Sequence, residues 1–264
     1  VLDAQGLSDA DMRRFAAWTN LSETTFLMPP TAAGHAAGAD YRLRIFSPRG
    51  ELPFAGHPTL GTCRAWLQQG HTPRVPGLVV QESAQGLVQI EHQGDTLAFA
   101  APPLQRSTPS PALVPLVASA LGLRPHQIQA AQLLDNGPVW LGLLLDSADT
   151  VLGLTPDHAR LKDLGQDVGV IHIAPDAGAN PERPGAVVRA FAAPMGNPED
   201  PVTGSLNASL AQWLIAEDLA PTRYLVAQGE CLGRAGRVYI RQDAQGQVWV
   251  GGHTVTCIEG TALL

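Results

Sequence analysis

The stretch Arg189-Ala190-Phe191-Ala192-Ala193-Pro194-Met195-Gly196-Asn197-Pro198-Glu199-Asp200-Pro201-Val202-Thr203-Gly204-Ser205 decides the fold. It reads as a strand, a polar turn and a helix opening at Pro201, because proline has no N–H to leave unpaired at the first helical position and its φ is already helical. The helix expected over 202–215 is small near its start (Gly204, Ser205, Ala208, Ser209) and apolar throughout, the pattern of a buried helix. The turn then presents Asp200 and free backbone N–H groups at a helix mouth, where an anion is favoured.

The pattern occurs twice. Tyr41 to Phe46 reads as a strand, and Glu51-Leu52-Pro53-Phe54-Ala55-Gly56-His57-Pro58-Thr59-Leu60-Gly61-Thr62 leads into a second apolar helix, from Pro58 to about Leu67. Aligning Pro58 on Pro201 pairs Gly61 with Gly204, Thr62 with Ser205 and His57 with Asp200. Further copies flank it: a helix opened by Leu7-Ser8-Asp9 matches one opened by Pro156-Asp157. Likewise Thr24 to Pro29 matches Val170 to Pro175, and Gly86 to Ile90 matches Gly236 to Ile240. Four segments repeated in one order imply a tandem duplication.

The expected fold is α+β: two pseudo-symmetric lobes, each a mostly antiparallel, barrel-like sheet wrapped round a central apolar helix. The lobes are expected at 1–106 and 107–254, joined by a proline-rich linker over 101–115. A final strand, Val255 to Ile258 within 255–264, is expected to return to the first lobe. Strands are also expected at 79–81, 87–91, 96–100, 139–145, 169–174 and 187–191, and a short helix at 117–123.

Composition narrows the function. Hydrophobic residues at 45% of 264 supply two cores, and a net charge of −7 provides no basic stripe for nucleic acid. Cys63, Cys231 and Cys257 cannot all pair and lack metal-ligand spacing, so they read as free thiols of a cytoplasmic protein. The scattered histidines suggest no metal site. No apolar run reaches the ~20 residues of a membrane span, and no signal peptide is visible.

Backbone N–H groups near Gly61-Thr62 and Gly204-Ser205 would hold a carboxylate in a cleft between the lobes. Glu23, aligned with Gly169, and His57, aligned with Asp200, are ionisable groups that the duplication has not copied, as a one-sided proton transfer requires. Each residue also has a plain structural reading. Glu23 suits any helix-to-strand turn, His57 and Asp200 suit helix caps, and Ser205 suits a bond back to its own turn.

At these residues the chain resembles the PhzF-like family of phenazine-biosynthesis isomerases. The matching pieces are Asn20-Leu21-Ser22-Glu23-Thr24-Thr25-Phe26, Glu51 to Gly61, Glu199 to Ser205, Gln228-Gly229 with Gly233-Arg234, and Val250-Gly251-Gly252 through Glu259-Gly260. The resemblance spans the chain. It implies a diaminopimelate-epimerase-like fold, usually homodimeric, with no cofactor. It implies Glu23 as acid/base, with His57, Asp200 and Ser205 positioning a small carboxylate and Gly56, Gln228 and Gly229 lining its site. The family normally has a further strand and a Gly-Asn-Pro turn before the equivalent of Val1, so a truncated start is expected. Related racemases carry two thiols at the helix mouths. Here His57 and Asp200 stand there, so two-thiol epimerisation is not expected.

The function expected is thus cofactor-independent proton transfer between carbons of a small carboxylate. A non-catalytic small-acid binding protein and a two-base racemase using Glu23 and Asp200 are the alternatives.

Overall fold

The protein, seen in a computed structural model that describes residues 1–263, divides into two compact units. Unit 1 is Val1–Ala100 together with the residues from Gly251 on, and unit 2 is Ala101–Val250.

Unit 1 opens with α1 (Asp9–Thr19). Ser8 and Asp11 close a reciprocal capping box at its start, and Asn20 ends it in the left-handed conformation. Then follow β1 (Thr24–Met28), α2 (Ala32–Ala36), β2 (Tyr41–Ser47), β3 (Gly50–Leu52), α3 (Gly56–Gln68), β4 (Leu78–Ser83), β5 (Gly86–Gln93) and β6 (Thr96–Ala100). The strand order is β1-β2-β4-β5-β6, with β3 paired to β2. Among these described strands β2 and β4 run parallel and the other neighbours antiparallel. One face of the β1–β2 pair packs Phe26 and Phe46 on Met12 and Ala16 of α1. The other face meets α3, where Thr62 Oγ1 donates to Thr25 Oγ1 at 2.9 Å.

Unit 2 contains β7 (Gln105–Ser107), α4 (Leu113–Leu121), β8 (Ile128–Asp135), β9 (Val139–Leu145), α5 (Ala148–Leu152), α6 (His158–Leu164), β10 (Asp167–Ile173), β11 (Ala186–Ala192), β12 (Asn197–Asp200), α7 (Gly204–Ala216), β13 (Arg223–Gln228) and β14 (Gly236–Gln242). β15 (Val248–His253) crosses the division between the units. The order in unit 2 is β14-β13-β11-β10-β9-β8-β7, with β12 on β11. Val168, Val170 and Phe191 pack on α4, α5 and α6 on one face. The other face receives α7 so closely that a Cβ on Gly169 would lie 2.2 Å from Leu206 Cδ1.

Within each unit the connectivity is the same. β1–β2 and β10–β11 are antiparallel hairpins, β3 and β12 each pair back antiparallel, and β4 and β13 each join parallel. The central helices α3 and α7 are both 13 residues long.

Five local expectations are corrected. The central helices start at Gly56 and Gly204, not at Pro58 and Pro201; Pro201 lies in the loop before α7, and Pro58 is already inside α3. Asp200 is therefore the last residue of β12, and the N-cap of α7 is Thr203. The 101–115 stretch, expected as the linker between the lobes, falls within unit 2 and carries β7 and the first turn of α4; Pro115 is tolerated there because first-turn N–H groups lack helical partners anyway. The segment 255–258 is not a strand: Val255 is 81% and Ile258 91% exposed, and β-branched residues without a neighbouring ladder gain nothing from extension. Residue 264 of the expected returning strand lies outside the described residues.

The fifth correction concerns the register of the repeat. With α3 on α7, Glu51-Leu52-Pro53-Phe54-Ala55-Gly56-His57 aligns with Glu199-Asp200-Pro201-Val202-Thr203-Gly204-Ser205, so His57 corresponds to Ser205. Thr24 pairs with Phe46, as Val168 pairs with Phe191. One residue earlier, Glu23 corresponds to Asp167 rather than to Gly169.

Candidate functional site

The two central helices begin without a side-chain cap, at Ala55 for α3 and Thr203 for α7. Their first-turn N–H groups thus carry the positive end of the helix dipole.

In unit 1, Glu23 lies at the step from α1 into β1, and its Oε2 is 3.0 Å from His57 Nε2 in the first turn of α3. The glutamate side chain is 18% exposed and the imidazole 48%. Glu23 Oε2 itself is sealed from solvent and makes no hydrogen bond of good geometry. A carboxylate oxygen in that state is poorly solvated. Thr62 is buried and spends its hydroxyl on Thr25, so its part is to tie α3 to β1. Gly61 has open space where a Cβ would stand, so nothing requires glycine there.

In unit 2, a polar network fastens the loop before α7. Thr203 Oγ1 donates to Asp200 Oδ2 at 2.6 Å, and Asn197 Nδ2 donates to Oδ1 at 3.3 Å. Gln228, 1% exposed, donates from Nε2 to Asp200 O (3.0 Å) and Thr203 Oγ1 (2.9 Å). Its Oε1 accepts from Thr203 N (3.2 Å) and Asn207 Nδ2 (2.8 Å). Gly229 follows at φ +91°, where a Cβ would also stand 2.7 Å from Pro201 O. Gly204 opens the helix. Ser205 is buried, and its Oγ accepts from Trp140 Nε1 at 3.3 Å while its carbonyl accepts from Asn136 Nδ2 at 2.9 Å. Sequence reasoning missed the roles of Thr203, Asn207, Asn136 and Trp140, because single side chains spread over a loop, a helix, a turn and a strand carry no common pattern.

A second feature also escaped the sequence. Arg189 makes a bidentate pair with Glu199 (2.9 and 2.8 Å), donates to Val151 O and Leu154 O, and covers the Phe191 ring. Arg44 repeats it on Glu51 (2.7 and 2.7 Å), donating to Asp9 and covering Phe46. Each clamp ties the middle strand to the short strand that leads into the central helix.

Thiols stand apart from this chemistry. Cys63 is buried, and burial pushes its thiol up to about 12; Cys231 and Cys257 are exposed and unpaired with each other. Among the described residues no three His, Cys, Asp or Glu side chains are grouped to hold a metal. Nor is any helix long and apolar enough to cross a membrane.

A sequence model of the family described as phenazine biosynthesis-like protein matches residues 1–260. The chain belongs to that family. It is 32% identical to a trans-2,3-dihydro-3-hydroxyanthranilate isomerase of Pseudomonas aeruginosa, over 99% of this chain and 91% of that protein. It is 33% identical to a Schizosaccharomyces pombe protein called antisense-enhancing sequence 1, over the same shares of the two chains. Its fold matches a crystal structure of a PhzF-family protein from Bacillus anthracis with a TM-score of 0.77 at 22% identity, covering 96% of this chain and 88% of that one. As a PhzF-family protein the chain is an isomerase with a mixed α+β fold and a large, mostly antiparallel sheet.

Proposed function

We propose that this PhzF-family isomerase shifts a proton between carbons of a small cyclic or amino carboxylate without a cofactor, with Glu23 as the acid/base. The observation that carries the reading is the Glu23 carboxylate, partly sealed and 3.0 Å from His57 Nε2. In the proposed step Glu23 takes a proton from a substrate carbon and the C–H electron pair moves into the adjoining π system. The carboxylic acid so formed returns the proton at another carbon. Atoms and electrons balance with no co-reactant, as an isomerisation requires.

His57 holds Glu23 in place, and Asp200, Ser205 and the Gln228–Gly229 turn orient the substrate's polar groups. These roles rest on the family resemblance and on the network around Asp200. Asp200 as a second base fits less well, since its carboxylate oxygens already accept from Thr203 and Asn197. The same reading has each sheet close as a barrel round its central helix, and the protein act as a cytoplasmic homodimer.

The test is proton NMR in D₂O with trans-2,3-dihydro-3-hydroxyanthranilate and a panel of amino and hydroxy acids. Wild type is expected to place deuterium on a substrate carbon, and Glu23→Gln to slow this by about 100-fold or more. A Glu23→Gln variant with full turnover removes the mechanism.

A further inference from the structure

Glu23 has a counterpart that no part of the proposed mechanism uses. Asp167 opens β10 at the position Glu23 holds before β1, one residue ahead of the pairs Val168–Phe191 and Thr24–Phe46. Side chains alternate along a strand, so Asp167 shares a face with Gly169, and that face is covered by Leu206 in the first turn of α7. In the parallel pair β9–β10, Asp167 is in register with Trp140, whose indole N–H bonds Ser205 Oγ. Ser205 is the residue that corresponds to His57. Each unit thus places a carboxyl one residue ahead of the matching strand pairs.

The surroundings of Asp167 leave it without a cation. Its Oδ1 is sealed from solvent and has no hydrogen-bond partner. On the neighbouring 136–138 turn, Gly137 N engages Asp135, and Asn136 keeps its Oδ1 equally sealed and unbonded. α7 carries no charged residue from Gly204 to Ala216. On β11, Arg189 is in register with Val170, on the opposite face, and is committed to Glu199. On β10 itself, His172 also lies on the opposite face, against Leu145 O. Burial alone raises the Asp167 carboxyl, to about 6. No donor reaches Asp167 Oδ1, whereas both carboxylate oxygens of Asp200 accept hydrogen bonds.

We infer that Asp167 is a substrate-binding residue of unit 2 that meets the small-acid substrate as a neutral carboxyl and donates its O–H to the substrate carboxylate. The inference rests on the proposed reading that the substrate is a small carboxylate. An ionised Asp167 would repel that anion, so binding draws a proton onto it. A ligand offering only an amine or hydroxyl to accept from would draw none.

Isothermal titration of the intact protein with 3-hydroxyanthranilate, in buffers of differing ionisation enthalpy, measures that proton directly. At pH 7 wild type is expected to take up most of one proton per ligand bound, with affinity falling about tenfold per pH unit above 6. Asp167→Asn is expected to bind with no uptake and a flat pH profile, Asp167→Glu to recover the uptake, and 2-aminophenol, which lacks the carboxylate, to produce none. Wild type without uptake, uptake that survives in Asp167→Asn, or no binding of the carboxylate each overturns the inference. Glu23→Gln keeps the two readings apart: it is expected to abolish deuterium exchange while leaving proton uptake intact. A wild type that takes up the proton through Asp167 yet exchanges no deuterium refutes the proton shift and leaves this inference standing.

Discussion

Glu23 and Asp167 carry the same functional group at equivalent strand starts, yet their neighbours differ: an imidazole faces the first, while a serine bonded to Trp140 occupies the equivalent place in unit 2. The raised Asp167 carboxyl has a consequence for stability. A carboxyl whose folded value lies above its unfolded value favours the protonated fold, so its ionisation costs nothing below about 4, and the cost grows with pH up to about 6. Asp167→Asn should therefore gain about 1–2 kcal/mol on wild type between pH 4 and pH 7, after discounting for the group's partial exposure. Urea unfolding of both proteins at the two pH values reads this; parallel pH dependence would contradict it. His57→Asn is expected to cost catalysis, at ten-fold or more, with the melting temperature little changed because the ring is half exposed. Steady-state kinetics beside a thermal melt separates the two effects.

At the scale of elements, the clamps Arg44–Glu51 and Arg189–Glu199 are one device in two environments. The second pair is 6% and 7% exposed, the first 14% and 31%. Removing one partner of a buried pair strands the other, so Glu199→Gln is expected to cost about 3–5 kcal/mol. Glu51→Gln should cost about 1 kcal/mol, near the range of exposed pairs. Denaturant midpoints compare them, and equal losses would mean burial is not what distinguishes the copies. The clamps also show where the sequence misled. Reading a proline as the start of each helix aligns Pro58 on Pro201. The motif Glu-x-Pro-x-x-Gly, present at Glu51 to Gly56 and Glu199 to Gly204, carries the register that the structure adopts. Apolar periodicity disclosed both helices and most strands, because burial on one face is written into alternation. Glu23 and His57 were legible as motif residues. Asp167 was not, since an acid before a strand looks ordinary until the chain around it seals one oxygen and supplies no donor.

At the scale of the whole molecule, unit 2 is one continuous segment, whereas unit 1 combines residues before Ala101 with those after Val250. Unit 2 has its own cluster of fifteen buried core residues, from Val117 to Ala193. A fragment of residues 101–250 is accordingly expected to unfold cooperatively on its own, and a fragment of residues 1–100 to be much the weaker, lacking its closing segment. Differential scanning calorimetry of both fragments checks this, and a fragment of residues 101–250 without a heat-absorption peak would refute it. The duplication explains why the halves share one connectivity: in each, a carboxyl stands at the start of the strand that packs on the central helix.

The β1–β2 and β10–β11 hairpins have their loops, residues 29–40 and 174–185, at the end opposite Glu23 and Asp167. In the second loop, Asn180 to Arg183 are exposed, and the backbone on either side is pinned by Ala174 N to Gly185 O and Gly185 N to Leu225 O. These loops therefore lie one strand length from Glu23 and Asp167 along their hairpins. Their use is practical: a fluorescent reporter or an affinity handle spliced between Pro181 and Glu182 would travel with the enzyme and leave its acids undisturbed.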